Sequence, residues 1–260
     1  MIKKFLLFVA FASIFYSNAN AYSVSHKFTA FVGPFNAAKA DFSYRLSPKN
    51  YAVDAVIRTN GTFDVLYPFE AQYATDGEFN KGIMETKNYH YKSKSRFNKR
   101  SKKMIYDDNG QPIFSISSKN GKEKKKNILV TADNKNTTNL QSVLAALAKH
   151  YNENRTCNFK VRVFDGKKRF DVIFKDEGKD NIEKNDYSDF EGQAFKCSMY
   201  IDKLGAKGDD LLWQMTSDKP VYFWLLDDAK TKIAFIARIK IDETPLGEMN
   251  VYTTDVEVKK

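Results

Sequence analysis

Apolar and polar residues alternate with a period of two along most of this chain. In residues 24–32, Val24, His26 and Phe28 begin one face, and in residues 233–241 every odd position is apolar. Successive side chains of a β-strand point to opposite faces of the sheet, so these runs predict strands with one buried side and one wet side. Such half-buried strands are typical of antiparallel sheets. Comparable runs occur at 41–46, 51–57, 63–73 and 158–163.

The segments between these runs carry turn residues. Asn60-Gly61 and Asp165-Gly166 are the strongest signals, because a tight hairpin turn requires positive φ at its central residues. Pro48-Lys49-Asn50 and Asn109-Gly110 are further turn signals. The connections are short, so we expect consecutive strands to pair as a meander. After Asn60-Gly61 the alternation resumes, and it predicts a strand on which Phe63, Val65, Tyr67 and Phe69 share one face.

One segment has helical periodicity instead. Thr138 is a suitable N-cap and Gln141 follows at the spacing of a capping box, which predicts a helix around 139–151. We expect its apolar stripe to pack on the sheet. That stripe consists of Leu140, Val143, Leu144, Leu147 and Tyr151.

The sequence therefore predicts a mainly β protein with a single domain at 22–260. Long twisted antiparallel sheets curl, so we expect a strongly curved sheet with one packed helix. No internal repeat interrupts the chain. The acidic stretch 176–191 is predicted to be a solvated loop, because it lacks the spacing and central glycine of a calcium-binding hand.

The N-terminus has the features of an export signal. Lys3 and Lys4 precede the apolar run 5–16, and Ala19-Asn20-Ala21 supplies a small-x-small cleavage step. These features predict a signal peptide at 1–21 and a periplasmic location for the rest of the chain. The run is too short to span a bilayer, and we expect the protein not to be membrane-spanning. No cysteine follows the cleavage step, so a lipid anchor is not expected.

The chain contains two cysteines, Cys157 and Cys197. In an oxidising compartment an isolated pair is most simply a disulfide, and two buried thiols are the alternative. Cys157 alternates in phase with Phe159, and Cys197 with Phe195, so both thiols are predicted to point towards the core.

Charge is concentrated in one basic segment of a chain whose formal net charge is +10. Its cations include Lys92, Lys94 and Arg96, with more at 99–103 and 119–126. If 87–106 and 112–130 pair as a hairpin, they form a cationic patch that would attract an anionic envelope surface. The alternative is a solvated sheet edge whose lysines prevent aggregation. An exported protein rarely meets nucleic acid, so we expect no nucleic-acid partner.

The hairpin VFDGKKRFD, residues 163–171, resembles a motif of a family of exported proteobacterial proteins with a domain of unknown function. The resemblance extends to the opening strands, the Gly192-x-Ala194 step, Pro220 before a strand with Trp224, and the Leu246-Gly247 turn. It implies a periplasmic half-barrel similar to the lipoprotein carriers LolA and LolB, and it implies no known activity. The family's hairpin usually has arginine where this chain has Lys167 and Lys168.

Catalytic motifs are not found in the sequence. The three histidines stand far apart, and neither a nucleophile elbow nor a metalloprotease helix motif occurs. We therefore expect no metal, no cofactor and no enzymatic activity, with a hydrolase built on a buried carboxylate as the least favoured reading. His26, on an apolar strand face, is predicted to be a core or lining histidine.

The favoured function is a binding or carrier module for a lipid or another amphipathic ligand in cell-envelope biogenesis. The alternative is a structural or protein-interaction factor that uses the basic hairpin. The predicted ligand-lining residues are Phe28, Phe42, Tyr44, Phe63, Phe69, Phe159, Phe170 and Trp224. The predicted head-group or anion contacts are Lys92, Lys94, Arg96 and Arg169.

Overall fold

The computed structural model describes residues 21–80, 82–108, 110–129, 136–166, 168–204 and 219–260. These residues form one fourteen-stranded antiparallel sheet, two α-helices and a 3₁₀ turn at Leu140–Ser142. The helices are α1 (Gly61–Leu66) and α2 (Val143–Asn154). The strands are β1 (Tyr22–Val32), β2 (Phe35–Leu46), β3 (Asn50–Thr59), β4 (Phe69–Asn80), β5 (Ile83–Ser95), β6 (Lys99–Tyr106), β7 (Pro112–Lys119), β8 (Lys122–Asn127), β9 (Phe159–Phe164), β10 (Arg169–Ile182), β11 (Gly192–Leu204), β12 (Val221–Asp227), β13 (Ala234–Thr244) and β14 (Gly247–Lys259).

The sheet consists of two meanders joined at its centre. Strands β8 to β1 lie side by side in chain order, and β14 to β9 continue the sheet on the other side of β1. The joining ladder pairs β1 with β14, and Ala30 lies opposite Val251 in it. Consecutive pairing was predicted from the short turns, and it is confirmed within each half.

The sheet is strongly curved. Strands β5 and β9 are ten positions apart in the sheet order, which in a flat sheet would separate them by about 48 Å. Ile83 of β5 and Phe159 of β9 nevertheless line the same cavity. Lys102 of β6 also donates to the backbone oxygen of Asp165, in the turn after β9. The sheet therefore curls until its two halves face each other, and the predicted curved fold is confirmed.

Helix α2 crosses the concave side of this sheet, because the chain must pass from the edge strand β8 to the opposite edge strand β9. Val143, Leu147 and Tyr151 are buried in the core. The side chain of Asn152 accepts a hydrogen bond from the backbone N–H of Ala234 at 2.7 Å. The predicted helix is confirmed, although the α-helix proper runs from 143 to 154. Leu140 lies outside the buried stripe and is exposed.

The helical segment begins at Asn139 and not at Thr138. The Asn139 side chain accepts from the backbone N–H of Ser142 at 3.2 Å and so caps the 3₁₀ turn. The backbone of Thr138 instead pairs with β9, donating to Arg162 and accepting from Phe164. The capping-box prediction was wrong because Thr138 is already used in this bridge to the edge strand.

Asn139 also connects the helical segment to the other half of the sheet. Its amide nitrogen lies 2.9 Å from the hydroxyl of Thr75 and 2.9 Å from the hydroxyl of Thr86. The Tyr51 hydroxyl extends the network to Thr86 at 3.0 Å. All of these side chains are buried, so a hydrogen bond lost from the network could not be replaced by one to water.

Replacing Asn139 by alanine should lower the free energy of unfolding by about 2 kcal/mol, because Thr75, Thr86 and the Ser142 amide each lose one of their buried hydrogen-bond partners. Urea unfolding followed by circular dichroism measures the change. Asn127→Ala, at an exposed position on edge strand β8, is the matched control and should leave stability unchanged. Equal midpoints for Asn139→Ala and the natural protein would show that the network contributes nothing.

Two segments differ from the predicted strands and loops. Residues 61–66 form helix α1, so the predicted strand over 63–73 was wrong in its first part, and Phe63 lies on a helix. The second part is confirmed, because β4 begins at Phe69. Val65 and Tyr67 are exposed, and the alternation there does not reflect a buried face. The predicted acidic loop is shorter than expected, because β10 continues to Ile182.

The predicted turns at 47–50, 107–111 and 165–168 are hydrogen-bonded connections between neighbouring strands. Asn109 and Lys167 lie outside the described residues.

The two cysteines form the predicted disulfide. Cys157 and Cys197 are bonded with a Cα–Cα distance of 6.0 Å, and both are fully buried. Cys157 lies just before β9 and Cys197 lies within β11, so the bond links two strands on either side of β10. Asp176 of β10 accepts from the backbone N–H of Cys157 at 2.6 Å, which ties the intervening strand to the same point.

The predicted signal peptide falls on residues 1–20 and the cleavage residue Ala21, and residues 1–20 lie outside the described part of the chain. Within the described part, no helix has both the length and the apolar character needed to cross a bilayer.

Candidate ligand cavity

A cavity of about 540 Å³ lies where the two halves of the curled sheet approach each other. It is bounded by helix α2, the beginning of β5 and the edge strand β9. Its apolar lining comes from all three elements and consists of Ile83, Met84, Ala146, Phe159 and Val161. Because β5 and β9 are far apart in the sheet order, they can contribute to one apolar surface only because the sheet is curved.

The rim of the cavity is basic. Lys149, Lys160 and Arg162 line it, together with one carboxylate, Glu153. Lys149 forms an ion pair with Glu153, and its ammonium also lies 4.9 Å from the ring centre of Phe79.

The other two cations belong to the edge strand β9. Lys160 pairs with the buried Asp171 at 3.0 Å. Arg162 is exposed and has no ion-pair partner within the part of the chain that the structure describes. Arg162 is therefore the rim cation most available to an incoming anion.

His150 contributes a polar atom near the apolar lining. Its ring stacks on Phe159, with 4.3 Å between the ring centres. Burial lowers the pKa of His150, and the nearby Glu153 opposes this shift. Nε2 of His150 is buried and has no hydrogen-bond partner among the described residues. A neutral imidazole is therefore part of the cavity lining.

Of the predicted lining residues, Phe159 lines the cavity. Phe28, Phe42, Tyr44 and Phe170 point to the concave side but are buried in the core beneath it. They form the packed wall of the sheet and do not border the open volume. The hydroxyl of Tyr44 is buried without a partner among the described residues, and burial raises its pKa well above the usual value.

Three other predicted lining residues lie elsewhere. Trp224 is also buried in the core, where Arg238 lies 4.9 Å from its ring centre and its indole N–H donates to Asp180 at 2.8 Å. Phe63 is on helix α1, and Phe69 begins β4 at the same end of the sheet. None of the three is among the residues that line the cavity.

The predicted anion contacts are also distributed differently. Lys92 and Lys94 lie on the outer face of β5, where they border a separate depression with Glu70. Arg96 donates to the backbone oxygen of Val65 at 2.9 Å, and Arg169 lies 3.6 Å from Asp171. These four residues are outside the cavity, and the cations at its rim are Lys149, Lys160 and Arg162.

Sequence reasoning missed the rim cations, although one signal for them was present. Lys160 and Arg162 alternate with Phe159 and Val161 on the edge strand. That pattern was interpreted only as evidence for a strand.

No group of three or more histidine, cysteine, aspartate or glutamate side chains that could hold a metal ion occurs in the described ranges. The chemistry available at the cavity is therefore that of an apolar lining, a basic rim and one neutral imidazole. Such a combination complements a molecule with an apolar body and an anionic end.

The fold places this protein among barrel-like β-proteins of open, curled antiparallel sheet. It is similar to the crystal structure of a beta-barrel-like protein of the domain of unknown function DUF1849 from Brucella abortus. The TM-score is 0.51 at 8% sequence identity, and the match covers 94% of this chain and 99% of the other. At that identity the likeness concerns the fold alone.

Residues 22–252 match the model of the family DUF3108, described as a protein of unknown function. The chain therefore belongs to the DUF3108 family. No curated protein matches the sequence.

Proposed function

We propose that the protein is a non-enzymatic binding or carrier module for an amphipathic ligand with an anionic end, such as a lipid, in the bacterial cell envelope. The observation that carries the proposal is the composition of the cavity between α2, β5 and β9. Its apolar lining comes from three elements, and its rim has three cations against one carboxylate. A volume of about 540 Å³ is within the range of small-molecule sites.

The apolar lining supplies the affinity in this proposal. Removing apolar surface from water is favourable in proportion to its area, and Phe159, Val161 and Met84 offer such surface next to open volume. The packed phenylalanines beneath the cavity keep its wall rigid, so less conformational freedom is lost on binding.

The rim supplies orientation. The guanidinium of Arg162 can hold a carboxylate or phosphate in a bidentate manner, and it has no competing ion pair among the described residues. The one carboxylate of the lining, Glu153, is occupied by Lys149. A binding role uses all of these groups and requires no nucleophile.

Filling the cavity should abolish binding. Ala146→Phe and Val161→Phe each place an aromatic ring in the open volume, and we expect affinity for a fluorescent dansyl fatty acid to fall at least about tenfold. Ala52→Phe makes the same substitution at a half-buried position of β3 away from the cavity, and it should bind like the natural protein. Fluorescence titration measures the affinity, and thermal unfolding verifies that each variant folds.

The charge at the rim is tested separately. Arg162→Glu should strongly weaken the binding of the dansyl fatty acid. It should leave the binding of a neutral dansyl amide of the same chain length unaffected. Arg45→Glu, on the exposed side of β2, is the matched control. Undiminished probe binding by both folded phenylalanine variants would refute the proposal, as would the absence of any amphiphile in native mass spectra combined with no probe binding.

A further inference from the structure

One end of the sheet exposes an unusual number of large apolar side chains. Six of them have exposed fractions between 57% and 75%, and they lie in the connections at this end or, for Phe35, at the first residue of a strand. We refer to them as the apolar end. It consists of Phe35, Val65, Leu66, Tyr67, Phe97 and Leu246.

The antiparallel topology brings these connections together. β1, β3, β5, β7 and β13 all finish at this end, so the turns that follow them and helix α1 are neighbours. Three contacts confirm the adjacency. Arg96 donates to the carbonyl of Val65, Asn60 donates to the carbonyl of Ala37 in β2, and the backbone N–H of Gly33 donates to Glu248.

The same end is bordered by a basic arm, defined as residues 91–127, which comprises the end of β5 and strands β6 to β8. The arm contains twelve lysines and arginines but only three carboxylates, so it carries +9 of the chain's formal net charge of +10. Glu123 pairs with Lys125. Most of the other cations of the arm have no ion-pair partner within the described ranges.

The arm's cations flank Phe97, the most exposed aromatic ring in the part of the chain that the structure describes. Phe97 occupies the turn between β5 and β6, directly between Arg96 and the strand that begins with Lys99. The side chain of Asn120, in the turn between β7 and β8, accepts from the Lys99 amide at 2.7 Å and donates to the Phe97 carbonyl at 3.4 Å. This contact brings Lys119 and Lys122, the neighbours of that turn, close to Phe97.

We propose that the apolar end docks on an anionic lipid bilayer. Apolar and aromatic side chains that project from turns and are ringed by lysine and arginine suit the boundary between head groups and acyl chains. The cations gain energy from an anionic leaflet, while Phe97 and Tyr67 enter the apolar boundary. A soluble anionic polymer would bind the cations of the arm, but it would make no use of the six exposed apolar side chains. A bilayer uses both features, and the charge complementarity therefore favours it.

The docking surface is separate from the cavity, because none of the six residues of the apolar end lines that volume. The inference does not depend on the proposed ligand. If both hold, the protein would receive or deliver its ligand while resting on the membrane by this end.

Vesicle co-sedimentation tests the docking. The purified protein should pellet with vesicles of phosphatidylcholine mixed with phosphatidylglycerol, and much less with phosphatidylcholine alone. The double variant Tyr67→Ser/Phe97→Ser should bind the mixed vesicles about tenfold more weakly, since both side chains are lost from the boundary. Lys99→Gln/Lys122→Gln should lose roughly fivefold in partition coefficient for each charge removed.

Matched controls change similar residues away from this end. Leu140→Ser, on the 3₁₀ turn, and Lys230→Gln, between β12 and β13, should bind like the natural protein. In addition, vesicles with brominated acyl chains should quench the fluorescence of the tryptophan introduced by Phe97→Trp. They should not quench that of the tryptophan introduced by Leu140→Trp. Vesicle binding that salt abolishes but that the Tyr67→Ser/Phe97→Ser variant retains would overturn the proposal in favour of a purely electrostatic surface. Absence of pelleting with the mixed vesicles would overturn it outright.

Discussion

Removing the disulfide should lower the free energy of unfolding by about 4 kcal/mol, as expected from the chain entropy of a loop of this length. Cys157 and Cys197 are 40 residues apart, and the bond holds β9 and β11 on either side of β10. The expected loss is large because the bond closes a loop of 40 residues in the unfolded chain. In the folded protein it also holds β9, an edge strand with a ladder of only six residue pairs to β10. We expect Cys157→Ala/Cys197→Ala to fold, with a clearly lower urea midpoint.

The natural protein supplies the control for this experiment. Its urea midpoint should fall to that of the double alanine variant when dithiothreitol is present, whereas the variant should not respond to the reductant. If reduction leaves the midpoint of the natural protein unchanged, the bond does not contribute to stability. A second expectation concerns the cavity, since β9 carries Phe159 and Val161. Reduction should also weaken binding of the dansyl fatty acid.

Acidification should destabilise the protein by about 3 kcal/mol through His26 alone. This side chain is 2% exposed, stacks on Phe28 with 5.0 Å between ring centres, and accepts from the backbone N–H of Ile236 at 3.2 Å. Burial lowers the pKa of His26 from 6.5 to about 4, and an interaction with the Phe42 backbone opposes the shift only in part. Protonation would also remove the acceptor that Ile236 uses.

The direction of the effect follows from the lowered pKa. The unfolded chain takes up the proton near pH 6.5 and the folded protein only near pH 4, so stability should fall as the pH drops through this window and level off below it. Urea unfolding at a series of pH values measures the slope. His26→Gln should be less stable near neutrality but should lose this part of the slope.

A second histidine variant makes the comparison specific. His90→Gln changes an exposed residue and should keep the slope of the natural protein. Carboxylates also titrate in part of this window, and they contribute equally to all three proteins. The difference between the His26→Gln and natural slopes is therefore the quantity to compare. Identical slopes would mean that His26 takes up its proton equally readily in the folded and unfolded states.

Much of the fold could be predicted because strand alternation and turn chemistry are local properties. The segment around Val24 and His26 has the predicted buried face, and the turn at Asp165-Gly166 has the expected hairpin connection. The pairing of β1 with β14 could not be predicted in this way, since no local pattern specifies which remote strand completes a ladder. The helix was predictable from its stripe, but its first residue depended on a bridge between Thr138 and Val163.

Helix α1 shows where local patterns mislead. Phe63, Val65 and Tyr67 occupy every second position, as on one face of a half-buried strand, yet Val65 and Tyr67 face solvent. Asn60 has the extended conformation of an N-cap and Gly61 has a positive φ, so the same dipeptide that favours a tight turn here starts a helix. Tertiary context decided between two uses of one sequence signal.

The candidate site was the least predictable part. Alternation assigns residues to one side of a strand, but it does not reveal which parts of that side remain open after the sheet curls. Phe28 and Phe159 have the same pattern, although Phe28 is packed in the core and Phe159 borders the cavity. Similarly, the basic segment was predicted to pair as one hairpin of 87–106 with 112–130, but each of these two segments is itself a hairpin, β5–β6 and β7–β8. The lysines of β5 and β6 also occupy both faces. Their number predicted an anionic partner, whereas their geometry was needed to relate them to Phe97.

The ladder between β1 and β14 has a consequence for biosynthesis. Strand β1 begins at Tyr22, and its partner β14 begins 225 residues later, at Gly247. This ladder therefore cannot form until the last strand has been synthesised. Until Gly247–Lys259 has been synthesised, β1 is an unpaired edge strand of the half-sheet formed by β1 to β8. Exposed edge strands of this kind promote association between chains. Ser23 lies opposite Lys259 in the finished ladder. A circular permutant that links these two residues and has its new termini in another turn would make β14 and β1 consecutive in sequence. The ladder between β1 and β14 could then form first.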